Sequence, residues 1–374
     1  MKKIKILFLI PTLGHGGAER VLINLVNHMD QEQFDITVQT LFDVGIYQSH
    51  IREGIRYIGG YKHYVRGNTK ILKLFSPKQL YKHYIKEEYD IIVSYLEGPS
   101  ARVVAGCTNP NTKLICWMHT VQKTLKAASY SFRSKNETKK CYNRFDRIIG
   151  VSETVKEDFK TIFNWKKPIS VIYNTVESNV IKEKSLEKVE GIIFDKNKIN
   201  FVSVAKLMYI KGYDRLINIT KRLKEDGFSI HTYIVGKGEE QVSLEKQIAE
   251  CGVQDDWTFV GFQSNPYKYV KAADLYVCSS RREGFSTAVT EALIIGTPVV
   301  STNCSGAYEL LGYNNEYGIV TENNEEALYE GIKRMLEGEN LTHYRQKAQE
   351  RGLEFNTEKS VESAETMFKE VLRS

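Results

Sequence analysis

The chain is predicted to be α/β, with two doubly wound parallel-sheet domains in series, and three observations predict it. Short β-branched runs alternate with amphipathic stretches from end to end, the pattern of parallel strands covered on both faces by helices. The alternation breaks once, in the charged stretch 174–198, and then starts again. The length of 374 residues suits two domains of about 150–190 residues better than one core.

Taken in order, the first strand is expected at 4–10, which is apolar apart from Lys5 and stops at Pro11. Lys2, Lys3 and Lys5 imitate the basic start of a secretory signal. The apolar run Ile6 to Ile10 is too short for one, however, and no small-residue cleavage site follows. Further strands are expected at 36–42, 90–96, 113–118, 147–152 and 169–172, with helices between them at 18–28, 77–86 and 153–163. Residues 174–198 carry Glu177, Lys182, Glu183, Lys184, Glu187, Lys188 and Glu190 with little apolar periodicity, and are read as the interdomain connection plus an exposed helix. A second cycle opens at Asn200 and continues with strands at 230–235, 257–261, 275–279 and 298–301. A last helix, 357–372, is expected to cross back onto the first domain. The expected division is 1–178 with 356–374, and 179–355.

Composition narrows the function. Hydrophobic content of 42% and charged content of 26% exclude disorder, collagen and coiled coil for the whole chain. The net charge of +6 is too mild for a dedicated nucleic-acid binder, and no recognition module is present. The charge is unevenly spread: residues 1–200 hold 32 Lys+Arg and 20 Asp+Glu, while residues 201–374 hold 20 and 26. Six cysteines stand without CxxC spacing, several inside apolar runs, which reads as buried reduced thiols in a cytosolic protein rather than a metal site. No stretch approaches the ~18 uncharged apolar residues that span a bilayer.

In open parallel sheets ligands bind beyond the carboxyl ends of strands, so three loops stand out. The first is Gly14-His15-Gly16-Gly17-Ala18-Glu19-Arg20, between the first strand and first helix. Its amides suit a phosphate, though an ordinary tight turn reads the same way. Arg20 or Val21 stands where a dinucleotide fingerprint has its third glycine, which disfavours a nicotinamide-cofactor enzyme. The second runs from Lys206 to Lys211-Gly212-Tyr213-Asp214; two lysines there could neutralise a diphosphate or simply be solvated. The third is Glu283-Gly284-Phe285-Ser286-Thr287 with Glu291 eight residues after Glu283. It combines carboxylates for sugar hydroxyls with helix-start amides for phosphates. The bland alternative is a helix-end carboxylate and a solvated Glu291, but Glu291 sits in an apolar stretch where a lone charge is costly.

Together these loops resemble the retaining glycosyltransferases of family 4, with the GT-B fold of two Rossmann-like domains facing across a cleft. The matching residues are Gly16-Gly17-Ala18-Glu19-Arg20, Val204-Ala205-Lys206 with Lys211-Gly212-Tyr213-Asp214, Gly236-Lys237-Gly238, Gly261-Phe262 and Ala273-Asp274. Most specific is Glu283 to Glu291, the Glu-x7-Glu motif, followed by Gly296-Thr297-Pro298. The resemblance implies that Glu283 holds hydroxyls of the donor sugar and Glu291 those of the ribose. Lys206, where the family more often has arginine, and Lys211 would stabilise the leaving diphosphate. Gly16 and Gly17 would pack on that diphosphate from the other domain. The turn at Gly284 and the amides of Phe285, Ser286 and Thr287 would close over phosphate and sugar, while Gly261 and Phe262 would border the base. His119, which alone reads equally as a satisfied strand-end side chain, matches the family's histidine near the reaction centre. Retention of configuration is implied by the family only.

A departing nucleoside diphosphate must be met by metal or by fixed positive charge. The sequence has no Asp-x-Asp, and Lys206, Lys211 and a helix start can serve, so no metal and no cofactor are expected. The donor is expected to be UDP-hexose or UDP-N-acetylhexosamine, although nothing in the sequence excludes GDP-mannose. On the acceptor side, residues 52–147 carry 19 Lys+Arg against 7 Asp+Glu, interleaved with aromatics at Tyr61 to Arg66, Lys70 to Phe75, Lys82 to Lys86 and Tyr130 to Arg133. That pattern suits an anionic membrane surface or a polyprenyl-diphosphate-linked glycan acceptor, or is a solvated basic face. The expectation is a cytoplasmic enzyme, peripheral on the inner face of the cell membrane, in cell-surface polysaccharide or capsule assembly. A sugar-nucleotide epimerase, a glycan phosphorylase or a non-catalytic subunit of a synthesis complex are the alternatives.

Overall fold

The computed structural model describes residues 2–14, 16–62 and 68–373. His15 of the glycine-rich loop and residues 63–66 of the basic-aromatic stretch therefore lie outside the described residues. The chain divides into two compact units, Met1–Val176 with Thr357–Ser374, and Glu177–Asn356.

The first unit is a seven-stranded sheet built from β1 (Ile4–Ile10), β2 (Phe34–Thr40), β3 (Arg56–Ile58), β4 (Ile91–Tyr95), β5 (Lys113–Met118), β6 (Arg147–Gly150) and β7 (Ile169–Val171). All neighbours pair in parallel, in the order β3-β2-β1-β4-β5-β6-β7. The second unit is a six-stranded sheet of β8 (Ile199–Val204), β9 (Ile230–Val235), β10 (Trp257–Gly261), β11 (Leu275–Cys278), β12 (Val299–Thr302) and β13 (Ile319–Thr321). Its order is β10-β9-β8-β11-β12-β13, again parallel throughout.

The central strands are buried on both faces, as β1 shows with Ile6 to Ile10 wholly inaccessible, and this is why they read as unbroken apolar runs. β3 and β13 were not expected from the sequence. Both are three-residue edge strands, too short to carry a period. β2 begins and ends two residues earlier than expected, because Phe34 pairs with Ile4 and opens the register. The segment after Val176 also differs. Its helix, Ser178–Ser185, is not an exposed one: Ile181 is wholly buried, and the helix packs against helices Tyr267–Ala272 and Thr287–Ile295. A single well-placed isoleucine, invisible to periodicity amid charged neighbours, fixes it to the second unit.

The C-terminal helix Thr357–Arg373 completes the first unit's core. Phe368 is fully buried, with ring centroids 5.8 Å from Phe8, 6.2 Å from Phe34 and 6.4 Å from Trp117. Burying such a ring contributes about 2–3 kcal/mol. The Thr357 hydroxyl donates to the Val176 carbonyl at 2.8 Å, tying the helix start to the end of the first stretch.

Candidate active site

A crevice opens in an open parallel sheet where the strand order reverses, because neighbouring loops diverge there. In the second unit that point lies between β8 and β11, and in the first between β1 and β4.

In the second unit, Lys211 ends a single turn, Tyr209–Lys211, after β8, and Glu283 lies in the loop after β11. Lys211 Nζ donates to Glu283 Oε1 at 2.7 Å, and Ser280 Oγ donates to the same oxygen at 2.6 Å. The side chains are shielded, 20% exposed for Lys211 and 15% for Glu283. Burial opposes the lysine charge, but the Glu283 carboxylate outweighs it and holds Lys211 above its ordinary pKa. Lys211 is thus an ammonium at any physiological pH, with N–H donors to spare for a ligand.

The two loops are stitched together independently of that pair. Ser279 Oγ donates to the Lys211 carbonyl at 2.8 Å, and the Arg281 amide to the Ile210 carbonyl at 2.7 Å. The Arg281 guanidinium grips Asp214 with two bonds, 2.7 and 2.6 Å, and lies 4.0 Å over the Tyr209 ring. Gly212 has φ +69°, and a Cβ there would lie 2.2 Å from the Ser279 carbonyl oxygen, so this crossing demands glycine. Lys206, at the start of the β8 exit, is exposed.

Helix Thr287–Ile295 starts beside Glu283. Ser286 caps it, its hydroxyl accepting from the Val289 amide at 3.3 Å, which leaves the earliest amides as open donors at the positive end of the helix dipole. Phe285 is buried against Gly306, where a Cβ would come within 2.6 Å of its ring. Glu291, in the second turn, is 7% exposed and accepts from the Tyr267 hydroxyl at 3.5 Å. Gly261 and Phe262 leave β10, two strands from β8, with the Gly261 carbonyl accepting from the Gly236 amide at 2.9 Å and Phe262 60% exposed.

In the first unit, Gly16 caps helix Gly17–His28 without a side chain. Glu19 folds over it so closely that a Cβ on Gly16 would lie 1.9 Å from Glu19 Oε2. His119 follows β5, one strand beyond the switch point. It is 7% exposed, its ring 4.7 Å from that of Tyr95, and its Nε2 is buried without a hydrogen-bond partner among the described residues. Burial lowers its pKa to about 3, so the imidazole is neutral whenever the protein is folded at ordinary pH. Unfolding exposes it to protonation, so the unfolded chain binds the extra proton between about pH 3 and 6.5 and stability rises with pH across that window. We expect His119→Phe to remove a component of acid sensitivity, about 2 kcal/mol between pH 7.5 and pH 5, measured by urea unfolding at both pH values.

Two doubly wound parallel sheets, each with its unusual loops at the switch point, are the architecture of the GT-B class. The sequence shows the family: residues 15–180 match Glycosyltransferase Family 4 and residues 185–352 match Glycosyl transferases group 1, so the chain is a member of the family 4, group 1 glycosyltransferases. It is similar to the N-acetylgalactosamine-N,N'-diacetylbacillosaminyl-diphospho-undecaprenol 4-alpha-N-acetylgalactosaminyltransferase of Campylobacter jejuni, 28% identical over 373 residues, covering 95% of this chain and 96% of that one. The amylovoran biosynthesis glycosyltransferase AmsD of Erwinia amylovora is 23% identical over 319 residues, 84% of this chain and 86% of that one. Among solved structures, Anabaena HepE in complex with UDP and glucose shares the fold with a TM-score of 0.77 at 22% identity, over 97% of this chain and 99% of that one.

The structure brings Lys211, on the β8 exit that also carries Lys206, against Glu283 of the β11 exit, which leads through Gly284, Phe285 and Ser286 to the helix that holds Thr287 and Glu291. Gly16, Gly17 and His119 belong to the other unit. Sequence reasoning passed over Ser280, Arg281 and Tyr267, which support the site, and Glu97, at the exit of β4. Their one signal was position: each acts from a strand exit or from a helix beside one.

Proposed function

We propose that this enzyme is a retaining transferase that moves a hexose or N-acetylhexosamine from a UDP-linked donor to a hydroxyl of a lipid-linked glycan, in cell-surface polysaccharide assembly. The carrying observation is the Lys211–Glu283 pair at the switch point of the second sheet, beside the capped start of helix Thr287–Ile295. Glu283, held through Oε1 by Lys211 and Ser280, presents its other oxygen to sugar hydroxyls. Glu291 takes the ribose hydroxyls, Phe262 and Gly261 border the base, and Lys206, Lys211 and the helix amides meet the diphosphate. Gly16 and Gly17 offer a helix start to a phosphate oxygen, and neutral His119 addresses the reaction centre. In the retaining path the acceptor hydroxyl attacks on the face the diphosphate leaves, and a phosphate oxygen takes its proton.

Two similar proteins support the substrate class: the Campylobacter relative is named for a diphospho-undecaprenol acceptor, and the Anabaena neighbour holds UDP and glucose. A thermal-shift panel of UDP-, GDP- and dTDP-sugars tests the donor, and stabilisation by GDP-mannose alone would overturn the UDP reading. With fixed lysine charge meeting the diphosphate, turnover is expected to survive EDTA; loss on chelation and recovery with a divalent cation would contradict the metal-free proposal.

The membrane side of the proposal rests on a patch in the first unit. Among the described residues no helix is long and apolar enough to cross a membrane. Yet Ile71, Leu74, Phe75 and Tyr130 are exposed together, 55%, 75%, 46% and 66%, with Lys73 Nζ 5.4 Å over the Tyr130 ring. Exposed apolar side chains beside a lysine suit the interface of an anionic bilayer. Leu74→Ser with Phe75→Ser is expected to weaken co-sedimentation with phosphatidylglycerol vesicles about tenfold or more at low salt. Failure of the wild-type protein to sediment with them would remove the membrane from the proposal.

A further inference from the structure

β4 leaves the first sheet at its switch point and delivers Glu97, a carboxylate outside every motif of the family resemblance. Both its oxygens are turned on the neighbouring strand exit. Oε2 accepts from the His119 backbone amide at 2.9 Å; Oε1 accepts from the Thr120 hydroxyl and from Gln122 Nε2 at 3.3 Å. One side chain therefore anchors the first residues after β5, and the bonds span more than twenty positions of sequence. Burial raises the Glu97 pKa while these donors pull against it.

The turn that presents Glu97 is costly. Leu96 has φ +154° and Gly98 φ +86°, and a leucine keeps such a conformation only where its surroundings impose it. Farther along, the same β5 exit has a second anchor: Asp158 accepts from the Gln122 amide at 2.7 Å and the Lys123 amide at 3.0 Å. Of the two anchors, Glu97 is the one that reaches His119. Because His119 Nε2 has no hydrogen-bond partner among the described residues, the ring is placed by its packing on Tyr95 and by the backbone that Glu97 holds.

We propose that Glu97 is a positioning residue for sugar transfer, fixing the backbone of His119 at the carboxyl end of β5 and so the place of its imidazole. The inference rests on the reading of His119 at the reaction centre. A displacement of about 1 Å at a reacting group can cost a hundredfold in rate, so Glu97→Ala is expected to lower kcat about a hundredfold with the donor KM nearly unchanged. Glu97→Gln, which keeps one acceptor oxygen, should recover part of it.

The test is a double-mutant cycle on the full-length protein. It reads nucleoside-diphosphate release from whichever of UDP-N-acetylgalactosamine, UDP-N-acetylglucosamine, UDP-glucose and GDP-mannose the wild type turns over. In a His119→Ala background, Glu97→Ala should cost less than about threefold, because its effect passes through the missing ring. Asp158→Ala, which loosens only the far end of the loop, should change kcat less than threefold in the wild-type background. Hydrogen exchange at the His119 amide should accelerate in both Glu97 variants and not in Asp158→Ala. Full loss again in the His119→Ala background, or a faster His119 amide with kcat intact, overturns the inference about Glu97. An unchanged kcat in His119→Ala alone instead overturns the reading of His119. If Glu97→Ala does not fold, the Gln variant carries the same comparison.

Discussion

Lys211→Ala is expected to lose about 10²–10³-fold in kcat, the size of effect that follows removal of one fixed donor from a developing negative charge. The leaving diphosphate gains charge as the anomeric bond breaks, and an ammonium already in place costs no reorganisation at that moment. The loop itself should survive, because Ser279 holds the Lys211 carbonyl, the Arg281 amide holds that of Ile210, and Gly212 lets the two loops cross closely, none of which involves the lysine side chain. Glu283→Ala should lose a comparable factor for a different reason, the loss of the sugar's hydroxyl acceptor. The two losses should not multiply. With Lys211 Nζ 2.7 Å from Glu283 Oε1, each residue places the other, and the double variant is expected to be little worse than the poorer single. Nucleoside-diphosphate release by the two singles and the double decides it. Fully multiplicative losses would mean that the ion pair is not the working arrangement.

The sheets were legible in the sequence because parallel strands buried on both faces must be apolar throughout, as Ile6 to Ile10 and Leu275 to Cys278 are. The edge strands β3 and β13, at three residues each, carry no such signature. The burial of Glu291 was legible for a related reason: a carboxylate inside an apolar helix is costly unless a ligand or a polar partner meets it, and the Tyr267 hydroxyl donates to it. What local pattern cannot carry is adjacency across the switch point. Lys211 and Glu283 are 72 positions apart and meet because β8 neighbours β11, and Glu97 meets His119 because β4 neighbours β5. Ser280 and Arg281 acquire roles only through that same order. Ile181 makes the converse point. One buried apolar side chain, flanked by the buried Ser178 and Ser185, turned an expected exposed helix into a packed one.

Arg102→Ala is expected to be the most destabilising single change, by about 3–5 kcal/mol, the cost of breaking a buried ion pair from one side. Arg102 is 1% exposed, on the short helix Pro99–Val104. Its Nε and NH2 donate to the two oxygens of Glu137 at 3.1 and 3.0 Å, and NH1 and NH2 reach the carbonyls of Leu72 and Phe75 at 2.8 and 2.7 Å. Arg133 takes the carbonyls between them, those of Lys73 and Leu74, so two guanidiniums bind four consecutive carbonyls of the segment that exposes Leu74 and Phe75. Alanine strands two of those carbonyls and leaves Glu137 without its shielded counter-charge. Leucine restores volume but none of the bonds, and should fare little better. Burial pushes the Glu137 carboxyl up, yet the bond from Arg102 and its charge pull it below the ordinary value of 4.5. The stabilisation from this pair is therefore complete above pH 4.5 and is lost as the pH falls through the lower folded-state pKa, so the gap between wild type and Arg102→Ala should narrow in acid. Urea unfolding of the first unit at pH 7 and at pH 4 measures both effects. The variant should also sediment less with phosphatidylglycerol vesicles, since the apolar residues it frees no longer stand on a fixed backbone; undiminished binding would mean that the patch holds its shape without the arginine.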